Sequence, residues 1–329
     1  MAWLLLLALV CVAGAAFAEA IPQDKVEGGK VTERTWLDET GAAVPGPMGC
    51  ARVAYSYNQR SVTEKYYDAE GNPFRVQGGY WGKTTTTDGK GQVTEVLYLN
   101  EAGEVACNDQ GFARMTMSYT SFGAVRRLCY YGENGKKPVS VPSLGYAVIE
   151  NDYRGKTLTK RTYLDAAGNL VETPMGYAVM VQKVNTKNQV REVSFQHADG
   201  SPATCEDGWS RSEVTLDSRG RTKSVRYYRE DGSLTDRGAG YAWEEIAYTG
   251  DAEKITRYDL NGVQIPWPGG YWVEVREKKD GHVTKITFQD GEGNGVANAE
   301  GVGAILYQYE PDGSLSRAWY LDLEGQEVK

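Results

Sequence analysis

Residues 66–71 read Tyr-Tyr-Asp-Ala-Glu-Gly, and the chain returns to this phrase as YLDAAG at 163–168, YYREDG at 227–232 and YLDLEG at 320–325. The last glycine of the hexapeptide is the head of a series: Gly41, Gly71, Gly103, Gly135, Gly168, Gly200, Gly232, Gly262, Gly293 and Gly325. Successive members lie 30, 32, 32, 33, 32, 32, 30, 31 and 32 residues apart. Five residues before each stands Trp36, Tyr66, Tyr98, Tyr130, Tyr163, Phe195, Tyr227, Arg257, Phe288 or Tyr320. Arg257 alone breaks the aromatic rule, with Tyr258 next to it. A second glycine follows the first nine markers, always eight residues on except in the fourth unit, where KKPVSVPSLG adds two. Behind it comes Cys50, Tyr80, Phe112, Tyr146, Tyr177, Trp209, Tyr241, Tyr271 or Val302. A fixed period near 32 residues identifies a tandem repeat.

Each unit reads as a β-hairpin. In FARMTMSY (112–119), Ala113, Met115, Met117 and Tyr119 alternate with Arg114, Thr116 and Ser118, the period of a half-buried strand, here termed A. Turn-forming stretches follow, such as TDGKGQ, DSRGR and EPDGS. A second strand, B, comes next; QVTEVLYL (92–99) and HVTKITFQ (282–289) show the Val, Thr and aromatic content that strands prefer. The opening hexapeptide is the end of strand B and its exit: Asp bonds the backbone ahead and Gly takes the strained position. Paired aromatics such as Tyr66-Tyr67 and Tyr227-Tyr228 place one ring on each face, because side chains alternate along a strand. KVTERTWLDETGAAV (30–44) reads as a strand B with no strand A before it, which gives nine A strands among ten B strands.

A unit this short buries no core alone and must stack on its neighbours. The expected fold is therefore all-β: an elongated repeat array of antiparallel β-hairpins, a twisted or spiralling sheet of nine to ten units of about 32 residues. The ten marker glycines are its structural turn positions.

The composition is consistent with this. Glycine is 39 of 329 residues, well above the usual proportion of about 7%. There are 22 Tyr and 8 Trp against 6 Phe, so the aromatics mostly carry a polar tip. The net charge of -8 offers no basic stripe for nucleic acid. At the N-terminus, MAWLLLLALVCVAGAAFAEA is apolar from Ala2 to Ala18 and closes on small residues in an A-x-A pattern. It reads as a secretory signal peptide over 1–20, cut after Ala18 or Ala20, with a retained anchor as the alternative. Residues 21–29 then form a linker and 30–329 the repeat domain, with no membrane span after cleavage. Cys11 leaves with the signal; Cys50, Cys107, Cys129 and Cys205 remain at unrelated places in the repeat, as buried thiols or one bridge.

The unit resembles the bacterial YD repeats of the RHS family, whose Tyr-Asp-x-x-Gly motif caps hairpins of a spiralling sheet; YDAEG (67–71) and YDLNG (258–262) carry the likeness. It is also similar to the Tyr-Tyr-Phe-Asp-x-x-Gly repeats of cell-wall- and glucan-binding proteins and, more faintly, to MORN hairpins. The likeness covers residues 30–329. The chain departs from these patterns in its regular second Gly-aromatic and in the replacement of Asp by Asn100, Gly132, His197 and Arg229. What the resemblance implies is the architecture and a bacterial type of secretion.

Catalytic signals are sparse. His197 and His282 read as turn residues, and no nucleophile motif accompanies them. DGEGNG (290–295) has oxygen ligands at alternate positions, but Gly301 stands where a calcium loop needs its twelfth-position carboxylate. No metal or cofactor is expected. The candidate binding residues are the aromatics behind the second glycine, Tyr80, Phe112, Tyr146, Tyr177, Trp209, Tyr241 and Tyr271, which begin strands beside variable loops. The expected function is a secreted, non-enzymatic repeat scaffold for a protein or surface; the alternative is a carbohydrate-binding module for cell-wall or other glycan.

Overall fold

The computed structural model describes residues 20–328, so the expected signal peptide lies, except for Ala20, outside the described residues. Among the described residues 22 strands form and no helix. In chain order they are β1 (Ile21–Glu27), β2 (Lys30–Leu37), β3 (Arg52–Asn58), β4 (Ser61–Tyr67), β5 (Gly82–Thr87), β6 (Val93–Leu99), β7 (Arg114–Tyr119), β8 (Val125–Tyr131), β9 (Val148–Arg154), β10 (Thr157–Leu164) and β11 (Val179–Val184). There follow β12 (Val190–Gln196), β13 (Arg211–Leu216), β14 (Thr222–Tyr228), β15 (Trp243–Thr249), β16 (Ala252–Tyr258), β17 (Gln264–Ile265), β18 (Val273–Lys279), β19 (His282–Gln289), β20 (Gly295–Val296), β21 (Ala304–Tyr309) and β22 (Leu315–Leu321). Packing divides the described residues into two compact units, 20–117 with 130–137, and 118–129 with 138–328.

Within the first unit each strand from β1 to β6 pairs antiparallel with the next, and β6 pairs with β7. Within the second the same succession runs from β8 to β22, the two-residue β17 and β20 lying beside β16 and β19. The all-β hairpin-repeat expectation is thus met. One boundary is corrected. Residues 21–27, taken from sequence as linker, are a full A strand, β1, in register with β2 from Ile21↔Leu37 to Glu27↔Lys30. There are consequently ten A strands, not nine. Pro22, Asp24, Lys25 and Glu27 disguise β1, yet proline and charge are what an edge strand tolerates, and every residue of β1 is exposed.

Local chemistry explains the repeat. At the exit of strand B, Asp68 N–H donates to the Asn72 carbonyl, and Gly71 N–H donates to the Asp68 carbonyl. The Asp68 carboxylate also accepts the Asn72 N–H at 2.7 Å. Gly71 holds φ at +88°, where a side chain is strained. Phe74 N–H then returns to the Tyr66 carbonyl at 2.9 Å, so the short piece after the turn pairs back onto strand B. Where His197 and Arg229 replace the leading Asp, the cap moves two residues on: Asp199 and Asp231 accept the N–H groups of Ser201 and Ser233, each at 2.8 Å. The second glycine closes a further turn of the same kind, Gly79 N–H donating to Val76 C=O at 3.0 Å.

The seam between successive hairpins is equally regular. In most hairpins the residue after the Gly-aromatic bridges two B strands. Ala178 N–H donates to Gln196 C=O at 2.9 Å, and the Ala178 carbonyl accepts from Tyr163 N–H at 3.0 Å. Ala51, Trp81, Ala113 and Ala242 make the same pair of bonds. The alanines at this position are wholly buried.

Candidate functional site

The seven aromatics selected from sequence do come together, but inside the core. In the first unit the ring centroids run Tyr66–Tyr80 5.9 Å, Tyr80–Tyr98 4.8 Å, Tyr98–Phe112 5.6 Å and Phe112–Tyr130 4.7 Å. In the second they run Tyr146–Tyr163 4.9 Å, Tyr163–Tyr177 6.0 Å, Tyr177–Phe195 4.3 Å, Phe195–Trp209 4.8 Å, Trp209–Tyr227 5.3 Å and Tyr227–Tyr241 5.9 Å. Tyr80, Phe112, Tyr177 and Trp209 therefore each slot between the B-strand rings of consecutive hairpins. Phe112, Tyr146, Tyr177, Tyr241 and Tyr271 are buried, and Tyr80 and Trp209 are partly so. A position opening a strand beside a loop is here also the position that plugs the seam. Their hydroxyls follow suit. Burial, with Glu244 nearby, raises the Tyr241 phenol above its ordinary value, and burial with the Tyr163 ring beside it raises Tyr177.

On the opposite face the second residue of each aromatic pair lies under an arginine from its own strand A. Arg52 stands 4.2 Å from the Tyr67 ring, Arg114 4.6 Å from Tyr131 and Arg211 4.2 Å from Tyr228. Carboxylates of neighbouring strands pair with these arginines, Glu33 with Arg52 at 2.8 Å and Glu95 with Arg114 at 3.4 Å. Where a small residue takes the arginine's place, a hollow opens. One such hollow, about 510 Å³, lies at Gly303 and Ala304 and is walled by Leu306, Leu321 and Leu323.

The remaining sequence candidates are structural. Asp290 accepts Glu292 N–H at 2.9 Å and Asn294 N–H at 2.8 Å, so its carboxylate closes the repeat turn. His197 Nδ1 lies 3.2 Å from Glu172, and His282 packs on Tyr309 at 4.6 Å. The four described cysteines are free thiols, and Cys50 fills the aromatic slot of its seam.

One locus breaks the pattern. Arg257 occupies the ladder position held elsewhere by a ring. Its guanidinium carbon is 4.1 Å from the Tyr241 centroid and 3.3 Å from that of Trp267. Trp267 stacks in turn on Tyr271, at 5.5 Å and 22°, and Tyr271 on Phe288 at 4.3 Å. Tyr258, the neighbour that sequence offered as a substitute ring, lies on the other face, stacked on Trp243 at 5.2 Å. Around this break the other arginines are paired. Arg237 meets Asp207 at 2.5 Å and the Tyr241 hydroxyl at 3.0 Å. Arg276 meets Glu274 at 2.5 Å, and Glu274 also accepts the Tyr271 hydroxyl at 2.8 Å. Burial and Glu274 raise the Tyr271 phenol. Sequence carried a signal for this locus. The residue three before the second glycine is Gly46, Val76, Asn108, Pro142, Thr173 or Cys205 in earlier units, but Arg237 and Trp267 here. Three departures, Arg237, Arg257 and Trp267, thus fall within about one repeat length.

No protein-family model matches the chain, and no curated protein matches it. Among solved structures it is similar to the TcdB2-TccC3 protein, at 11% identity over 93% of this chain and 18% of that one, with a TM-score of 0.25. It is similar to the Photorhabdus luminescens Tc holotoxin pore at 13% identity over 91% of this chain and 14% of that one, TM-score 0.28. A porin-like protein from Bacteroides uniformis matches at 12% identity over 84% of this chain and 86% of that one, TM-score 0.24. The chain thus spans under a fifth of the toxin chains. At these TM-scores the likenesses carry no inference about what it does.

Proposed function

We propose that the chain is a secreted, non-enzymatic repeat scaffold, of the YD-repeat kind, that binds a protein or a protein-bearing cell surface. The observation that carries this reading is the sameness of the seams. From hairpin to hairpin the residue behind the Gly-aromatic, most often alanine, sits at the same point of the seam, and an aromatic ring usually fills the position before it. Such a chain multiplies one hairpin surface, and repeat proteins characteristically bind through surfaces repeated in this way. The outward rows it offers are the arginine-covered aromatics and the Asp-capped turns. Secretion is supported by the apolar N-terminal stretch with its A-x-A sites. The glycan alternative has lost its main support, since the rings offered for sugar stacking lie in the ladder.

Sedimentation of the purified chain with intact cells, isolated cell wall and insoluble polysaccharides tests the proposal. Retention on cells that free sugar leaves intact and protease treatment of the cells abolishes is the expected result. Retention competed by free sugar moves the function to glycan binding. Absence of retention on every support removes surface binding, and hydrolysis of a polysaccharide that copurifies with the chain through successive columns makes it an enzyme.

A further inference from the structure

We infer that Arg257 is a carboxylate-binding site, and that its occupant is an acidic side chain of a protein partner; this rests on the scaffold reading above and names the chemistry of what is bound. Arg257 is the cation in a ladder of rings, held over Tyr241 and Trp267 at 4.1 and 3.3 Å. Ring contacts of this kind fix the plane of a guanidinium and leave its hydrogen-bonding edge unused. Here the Nε of that edge is buried without an acceptor, while Arg257 as a whole is only partly buried. Trp267 Nε1 is buried beside it, also without an acceptor, as is Arg237 Nε. Buried donors are almost always satisfied, so a knot of unsatisfied ones marks missing acceptor oxygens.

The protein's own carboxylates do not supply them. Asp207 is taken by Arg237 and Trp209, and Glu274 by Arg276 and Tyr271. Glu244 faces Arg257 in register across β15 and β16, yet no ion pair forms; its charge acts on Tyr227 and Tyr241 instead. A planar fork of N–H donors matches a planar two-oxygen anion. A sugar acid is disfavoured as its source, because Trp267 already makes close ring contacts with Arg257 and Tyr271, and Tyr241 with Arg257 and Tyr227.

The test follows the indole N–H signal of Trp267 by NMR in the full chain during titration with C-terminally amidated tri-glutamate, C-terminally amidated tri-glutamine or glucuronate. Tri-glutamate is expected to shift the signal saturably, and tri-glutamine not at all. Arg257→Phe restores the ring that other repeats carry, so it is expected to fold, with an unchanged or raised melting temperature, and to bind tri-glutamate at least tenfold more weakly. Glu244→Gln removes the negative charge that faces Arg257 in register and would repel an incoming carboxylate, and is expected to tighten binding severalfold. No saturable shift with tri-glutamate, an undiminished shift in Arg257→Phe, or no tightening in Glu244→Gln overturns the site. A response to glucuronate alone overturns the peptide assignment. Protease-sensitive retention on cells without any NMR response keeps the scaffold and discards the site.

Discussion

At Asp165 one carboxylate oxygen accepts the N–H groups of Ala167 and Asn169, at 2.8 and 2.9 Å. These bonds favour the charged form and hold its pKa below the ordinary 3.8, the Asn169 N–H contributing most. Asp259 is lowered chiefly by the Val263 N–H, and Asp290 chiefly by the Asn294 side chain. A carboxyl whose folded pKa is depressed stabilises the fold above its unfolded pKa and loses that contribution as pH falls through the folded one. The melting temperature is therefore expected to be flat from pH 7 to about 5 and to fall steadily below about pH 4. Asp165→Asn keeps the acceptor, as Asn100 does for Glu104, and is expected to flatten its share of that acid limb in a thermal-melt series. The ladder makes a second residue-scale prediction. Tyr66 is 1% exposed and donates its hydroxyl to Glu64 at 2.6 Å. Tyr66→Ala is expected to cost about 3–5 kcal/mol in chemical denaturation, the range for large aromatics removed from a core. The Asp-x-x-Gly caps were legible in sequence because their signal is local. The shifted caps at Asp199 and Asp231 were not, because alignment on the leading position shows only that His197 and Arg229 lack a carboxylate.

The seam is the unit of stability at the scale of elements. Ala113 and Ala178 are fully buried between two B strands. A larger side chain there must push neighbouring hairpins away from each other, and Ala178→Leu is expected to cost about 1–3 kcal/mol. The control Ala167→Leu, on an exposed turn, is expected to stay within about 0.5 kcal/mol in the same denaturation assay. Gly82 makes the point by geometry. A Cβ there would lie 2.7 Å from the Glu64 carbonyl of the neighbouring strand, so Gly82→Ala is expected to destabilise although its backbone angles suit any residue. Strands A and B were readable from their alternation and their period. β1 was not, because its exposed, charged residues carry no apolar alternation and β2 supplies its pairing; the Gly28-Gly29 turn, with φ of 58° and 77°, was the available sign. The burial of Tyr80 and its equivalents was not legible because the strand pattern shows where a ring begins a strand but not that the preceding hairpin closes over it.

For the molecule as a whole, the repeat makes stability a sum of hairpin and seam terms. The described cysteines add no crosslink to that sum. Reductant is thus expected to leave the melting temperature unchanged, and native-state thiol labelling to reach the exposed Cys107 first and the buried Cys50 and Cys129 last. The sequence left this open because the four cysteines share no place in the repeat. It was equally silent on a ligand, since most of its chemistry-bearing residues recur for backbone reasons; only the departures around Arg257 stand apart. The central claim is that equivalent hairpins recur and are held by equivalent seams. Residue-resolved hydrogen exchange on the native chain tests it most directly. The account predicts slow exchange recurring about every 32 residues, with the N–H groups of Ala51, Trp81, Ala113, Ala147, Ala178, Ser210, Ala242, Trp272 and Gly303 among the slow set. Protection gathered in one block without that period, with these seam amides exchanging as fast as the turns, would contradict it.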